Sequence, residues 1–409
     1  MTPEIKRRIE QIRRGEIPEG YRKEIAGVIP NVWRCYQIQD CLIVRNHERK
    51  PISEDERKAI PGPYPYYGPT QAQGYIATYE SEGPAVLIGE DGDHFLKYKG
   101  REMTMYVDGK YTVNNHAHVL NGTKLCETKW FYFAYQHKSL FSAITRQGAG
   151  RYKLTKEALI NLPLQCPPIE EQKKIISILT TQDKVIELKE KRLAEKLRQK
   201  KYLMQQLLTG KKRLPGFRGE WRVEYLGKLF RERKEINCEG LEMLAITGTQ
   251  GIIPRKELDL KDNSSEDKSK YLRVCIGDIG YNTMRMWQGV SAYSNYEGIV
   301  SPAYTILKPS LLVDAKYFAY LFKMPEMIFL FYRFSQGLVD DTRNLKYENF
   351  KKIKVVYPVD KNEQSAIAQV LSTADREISL LRQDIEQEKQ KKKALMQLLL
   401  TGIVRVCKE

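Results

Sequence analysis

The chain has 409 residues, enough for two or three domains of ordinary size and too many for a single small fold. Hydrophobic residues make up 42% and charged residues 29%, which excludes the apolar-poor composition of a disordered chain. The formal net charge of +17 favours a polyanionic partner, and nucleic acid before an anionic membrane, because no apolar run approaches the roughly 20 residues that span a bilayer.

The opening segment, Met1 to Arg14, is charged throughout, so neither a secretory signal nor an anchor is expected, and Pro3 to Arg14 is expected as a helix. A first globular block runs from Trp33 to Leu162. It contains PGPYPYYGPTQAQGY (Pro61 to Tyr75) and short strand-like runs such as Ala85 to Ile88, closed by Gly89, Glu90, Asp91 and Gly92. His116 and His118 alternate in a strand-like stretch and would share a face; with no third ligand in view, no metal site is expected. Trp130 to Ile144 has helical periodicity, and its aromatics are expected in the core. A turn with Arg146, Gln147 and Arg151 follows.

Ile169 to Gly210 (IEEQKKIISILTTQDKVIELKEKRLAEKLRQKKYLMQQLLTG) is then repeated without a gap by Lys361 to Gly402 (KNEQSAIAQVLSTADREISLLRQDIEQEKQKKKALMQLLLTG). Glu171 and Gln172 fall on Glu363 and Gln364, Asp183 on Asp375, and Gly210 on Gly402. Upstream the likeness continues with one residue inserted, Leu154, Leu159 and Leu162 falling on Leu345, Phe350 and Ile353, and Trp33-Arg34 answers to Trp221-Arg222. Alternating three and four spacing picks out a seam in each copy: Ile176, Leu179, Asp183, Ile186, Leu193, Leu197, Met204 and Leu207, then Leu371, Asp375, Ile378, Ile385, Met396 and Leu399. Each predicts a helix of about 35 residues, roughly 50 Å long, ended by its glycine. Neither has the continuous apolar face of a core helix, so the two are expected to pack on each other, with Asp183 and Asp375 as polar residues that set register or meet a partner. The basic runs Lys196 to Lys201 and Lys389 to Lys393 face either phosphates or solvent.

Between the repeats lies a second block, Trp221 to Ile353, with LEMLAITGTQGIIPRK (Leu241 to Lys256), VCIGDIGYNTMRMWQGVSAYSNYEGIVSPAYTIL (Val274 to Leu307) and a helix expected from Asp314 to Phe334. It parallels the first block in element order but not in sequence, down to a turn with Thr342, Arg343 and Asn344. Base reading needs bidentate donors and acceptors on loops that can enter a groove. The candidates are Tyr67, Gln71, Gln73, Arg146 and Arg151 in the first block, and Gln250, Arg255, Arg285, Trp287, Gln288, Arg343 and Asn344 in the second. Seven cysteines, at 35, 41, 126, 166, 238, 275 and 407, are odd in number and form no CxxC pair, which fits free thiols in a reducing cytoplasm. There is no phosphate loop, no GxGxxG after a strand, no aminomethylation motif and no nucleophile motif, so no catalytic residue and no bound cofactor are expected.

LPLQCPPIEEQKKIISIL (Leu162 to Leu179), its echo ending NEQSAIAQVL, the paired LLTG helix ends, and the fragments PYYG, LIGEDG, VNNHAHVL, YNTMRMWQG and SPAYTIL resemble specificity subunits of type I restriction-modification systems over essentially the whole chain. The second copy departs from the PP-x-x-EQ start with Tyr357, Pro358, Val359 and Asp360. The resemblance implies an α+β fold: two strand-rich target-recognition domains separated by two long helices that pair as an antiparallel coiled coil, in a pseudo-twofold internal repeat. The expected division is residues 1–32 (N-terminal helix and lead-in), 33–162 (first recognition domain), 163–210 (central spacer helix), 211–220 (linker), 221–354 (second recognition domain) and 355–409 (distal helix and tail). The resemblance further implies a non-catalytic, cytoplasmic DNA-recognition subunit whose domains each read half of a split asymmetric site in double-stranded DNA. Two methyltransferase subunits and the restriction (translocase and nuclease) subunits would be its partners, and S-adenosylmethionine, ATP and Mg would bind to them. A standalone DNA-binding regulator and a coiled-coil assembly scaffold are the competing readings.

Overall fold

The computed structural model describes residues 2–24, 27–148, 151–238, 240–248, 250–258 and 267–406; Cys407 lies outside them. The chain divides into two units, residues 1–188 with 385–409, and residues 189–384. Each unit contains one reader and parts of both long helices.

In the first unit the reader is built on a four-stranded antiparallel sheet ordered Thr104–Val107, Ala85–Gly89, Ala117–Gly122 and Leu42–Val44. A second sheet carries Ala72–Ile76, Pro61–Tyr67, Lys110–Val113 and Ser81–Glu82, with one parallel pair in it. In the second unit Ser291–Tyr293, Ile279–Asn282, Tyr304–Pro309 and Phe230–Glu232 form an antiparallel sheet of the same order, taken strand for strand. Each reader also closes with a strand paired to one from its own beginning, Pro163–Cys166 to Arg34–Gln37 in one copy and Lys354–Pro358 to Trp221–Tyr225 in the other. The segment expected as spacer from residue 163 therefore opens as a strand.

The helix expected from Asp314 to Phe334 is two helices, Ala315–Leu321 and Pro325–Phe334. Pro325 has no N–H to give and disfavours helical geometry at the residue before it, so it starts the second helix as its first residue. Trp130 to Ile144 is helical only over Thr128–Tyr135, and Trp130, Phe131, Phe133 and Tyr135 are all buried. The N-terminal helix, Pro3–Arg13, donates from Arg8 to the carbonyl of Ile403 at 2.6 Å.

The two repeated segments are helices of 39 residues each, Ile169–Leu207 and Lys361–Leu399. They run antiparallel to each other within both units. In the first unit Lys392 pairs with Asp183 at 2.6 Å, and in the second Lys200 pairs with Asp375 at 2.5 Å. These are the same two seam positions with the helices exchanged, so the polar residue of each seam is answered by a lysine of the other. Lys189–Asp384 and Lys196–Glu377 continue the pairing in the second unit. Lys196, Lys200 and Lys392, from the runs expected to face phosphates or solvent, thus pair the two helices instead.

Two details of the seam differ from expectation. Leu197 is 40% exposed, and Ile175 is fully buried where its neighbour Ile176 is only partly so. The departures are local, since Leu207 at the far end of the stripe is buried again. The helix ends also enter the cores. Ile175 and Leu179 share the first core with Met396 and Leu399, and Ile367 and Leu371 share the second with Leu207 and Leu208. Fully burying such a side chain stabilises by about 1.5–3 kcal/mol, which joins the start of one helix and the end of the other to each reader.

Gly210 and Gly402 take the left-handed conformation at φ 71° and 70°. Each also lies against a tryptophan: a Cβ on Gly402 would come within 3.2 Å of Trp33, and one on Gly210 within 3.3 Å of Trp221.

Candidate nucleic-acid interface

The repeated Glu-Gln pair fixes each reader to its helix. The Gln172 side chain donates to the carbonyls of Leu125 and Pro167 and accepts from the Glu127 N–H, all at 2.9 Å. Gln364 donates to Leu312 and Pro358 and accepts from the Asp314 N–H, at 3.1, 2.9 and 2.8 Å. Both glutamines are fully buried. An amide is suited to this, since it satisfies two acceptors and a donor without carrying charge into the core. The preceding carboxylates, Glu171 and Glu363, are 1% and 0% exposed, and each takes a two-pronged arginine from just beyond the other helix's glycine. Arg405 reaches Glu171 at 2.6 and 2.8 Å, and Arg213 reaches Glu363. Buried carboxylates need such partners, because an uncompensated charge there costs several kcal/mol.

On the first reader, Tyr67, Gln71 and Gln73 share the hairpin formed by Pro61–Tyr67 and Ala72–Ile76, closed by the Gly68 N–H donating to the Gln71 carbonyl. Both glutamines are exposed. Tyr67 is half-buried, edge-on to Tyr111, and burial raises its phenol above the ordinary value, so it is a neutral donor. Arg146 and Arg151 are exposed on a separate ribbon, Thr145–Arg146 against Tyr152–Lys153, which also pairs with Asp91–Gly92. A polar chain joins the two groups. Asn114 donates to Gln73, and its oxygen accepts from the His116 N–H; the His116 ring meets Asp91 at 2.8 Å. The two histidines part company, since His118 is buried between Asn46 and the Leu154 carbonyl.

On the second reader the loop Asn282 to Ser291 presents Arg285 and Gln288 to solvent. Trp287 is edge-on to Tyr332 with ring centroids 6.1 Å apart, and the Arg343 guanidinium lies 4.0 Å over the other partner of that stack, Tyr332, while donating to its hydroxyl. Asn344 follows in a bridge to Gln336. Five of the seven candidates of this block therefore gather around one aromatic platform. Lys323 supports it from beneath, donating to the Gly289 carbonyl at 2.7 Å. Burial, and then the nearby charge of Lys200, push the Lys323 ammonium down to about 8. Gln250 sits at the tip of the hairpin Leu244–Ile246 and Ile252–Pro254, and Gly248 and Gly251 beside it face Val290 and Ala292. Arg255 lies beyond the foot of that hairpin, at the opposite end from Gln250.

Tyr332 and Lys323 are not among the site residues expected from the sequence, where both fall only within the helix expected from Asp314 to Phe334. The signal for Tyr332 was its place in the last turn of a helix, just before the Gln336 to Asn344 loop.

Residues 30–198 match the family model described as the type I restriction modification DNA specificity domain. The type I restriction enzyme MjaVIII specificity subunit of Methanocaldococcus jannaschii is 24% identical over 94% of this chain and 96% of its own length. Residues 30–198 carry a type I restriction-modification specificity domain, and the similarity to specificity subunits extends over nearly the whole chain. A putative specificity subunit from Haemophilus influenzae is 34% identical over a shorter stretch, 33% of each chain. The type I S subunit from M. genitalium shares the fold, with TM-score 0.60 and 14% identity over 90% of this chain and 96% of that one. A structure from work on complex assembly and conformational transition of the type I restriction-modification system aligns at TM-score 0.50 and 14% identity, covering 92% and 99%. The two clusters above expose polar and aromatic side chains from shaped loops. Among the described residues, no helix is long and apolar enough to cross a membrane.

Proposed function

We propose that the two readers each recognise one half of a split, asymmetric site in double-stranded DNA, and that the helix pair sets the interval between the halves. The observation that carries this is the contrast within the repeat. The frame is reciprocal to the level of single bonds, with Asp183–Lys392 against Asp375–Lys200 and Glu171–Arg405 against Glu363–Arg213. The exposed loops share neither sequence nor chemistry: a glutamine hairpin and an arginine ribbon on one reader, an arginine–tyrosine–tryptophan platform on the other. Identical mounts with different readers suit two different half-sites.

In this reading the subunit is non-catalytic and cytoplasmic. Two methyltransferase subunits act on the bases it selects, using S-adenosylmethionine, and restriction subunits add ATP- and Mg-dependent translocation and cleavage. Support comes from the family and from readers whose exposed groups are suited to binding. Replacing residues 33–162 with the first recognition domain of another specificity subunit tests it. The methylated motif is expected to change in one half only; a change in both halves, or in neither, contradicts independent readers.

A further inference from the structure

Cys41 ends the short helix Ile38–Cys41, Cys126 precedes the helix Thr128–Tyr135, and Cys166 ends the strand Pro163–Cys166. Widely separated in sequence, they bring their sulfurs within 4.8 Å of one another in the first core, at 0%, 0% and 3% exposure. Among the described residues, no other group of three His, Cys, Asp or Glu side chains converges in this way.

The second copy shows that the fold does not require sulfur here. The two glutamine clasps give the correspondence. Between the clasped residues 125 and 127 stands Cys126, and between 312 and 314 stands Val313; before the clasped prolines stand Cys166 and Tyr357. The matching short helix, Leu226–Leu229, ends in Leu229. Val313, Tyr357 and Leu229 are buried at 3%, 3% and 0% exposure. One copy fills the place with valine, tyrosine and leucine, and the other with three convergent thiols, of which Cys41 donates to the Gln37 carbonyl and Cys126 to the Glu127 carbonyl, both at 3.5 Å.

We propose that Cys41, Cys126 and Cys166 form a trithiolate site for a soft d10 cation, Zn2+ or Cu+. With metal–sulfur bonds of about 2.3 Å, the sulfurs of such a centre lie about 3.8–4.0 Å apart, so the observed cluster needs a closure of less than about 1 Å. Thiolate donors select these cations over hard ones. On binding, three S–H protons pass to solvent and three metal–sulfur bonds form, with no change of oxidation state. Three sulfurs complete a trigonal Cu+ centre, while Zn2+ would take water or a backbone oxygen as its fourth donor. Because Cys126 and Cys166 adjoin the groups that Gln172 holds, the cation would pin the base of the first reader to the start of the central helix.

The test uses the full-length chain purified without chelator, with elemental analysis for both metals and Co2+ as the spectroscopic probe. About one zinc or copper per chain is expected, with a cobalt–thiolate charge-transfer band and a Tm that falls on chelation. Cys126→Val, which carries the second copy's own residue, is expected to keep the circular dichroism and lose metal, band and chelator response together. A metal-free chain whose Tm ignores added Zn2+ and Cu+ and which gives no cobalt–thiolate band overturns the proposal, as does full metal retention by Cys126→Val. Should that variant not fold, the stoichiometry and cobalt band of the unaltered chain decide.

Discussion

The Arg343 guanidinium lies 4.0 Å over the Tyr332 ring with its Nε donating to Asp340 at 2.9 Å, and Trp287 meets the same ring edge-on. A planar guanidinium held between a carboxylate and an aromatic ring is fixed in orientation more firmly than a flexible ammonium would be. Arg343→Lys keeps the charge and loses the fork and the stack. Its expected cost is about 1–3 kcal/mol of binding to the cognate duplex, roughly 5- to 150-fold in Kd, with nonspecific binding little changed. Fluorescence anisotropy of the complex with its methyltransferase partner measures both; equal losses on cognate and random duplex would make Arg343 a phosphate contact only. Lys323, beneath the same loop, predicts a pH dependence. Its folded-state value is about 8 against an ordinary 10.5, so the unfolded chain binds more protons between those values and stability rises with pH there. Lys323→Met, which carries no such proton, is expected to lack this rise. Thermal melts of both proteins from pH 8 to 10.5 check it, and parallel pH profiles would show that Lys323 titrates normally.

The long helices are the elements on which the account depends. Proline at Leu193 removes a helical hydrogen bond and clashes with the preceding turn, costing about 3 kcal/mol or more locally. With the helix broken, the interval between methylated half-motifs is expected to change or the complex to lose activity. Wild-type activity with wild-type spacing would show that the helix does not set the interval. These elements were also the most legible in the sequence, because a 39-residue periodic segment that occurs twice leaves little room for another reading. Register was legible in half: Asp183 and Asp375 stood out as polar seam residues, while the spacing alone did not show that Lys392 and Lys200, in runs expected to face phosphates or solvent, would be their partners until the antiparallel pairing placed them opposite. Strand order in the readers was readable only as a parallel between blocks, since short strands take their neighbours from long-range packing. The duplicated Glu-Gln was visible, but its clasp on Leu125, Glu127 and Pro167 depends on a fold that brings distant backbone together. Cys41, Cys126 and Cys166 carried no spacing signal for the same reason.

At the scale of the whole molecule, the net charge of +17 provides attraction to any duplex. It is the weaker evidence, because several of the lysines behind it are spent on carboxylates of the opposite helix. What distinguishes this chain is a reciprocal frame carrying two unlike reading surfaces. The most direct measurement is methylome sequencing of a host that expresses the chain with its methyltransferase partner. One asymmetric motif in two parts, separated by a fixed run of unspecified bases, is expected. A single continuous motif, or a palindrome with identical halves, would contradict it.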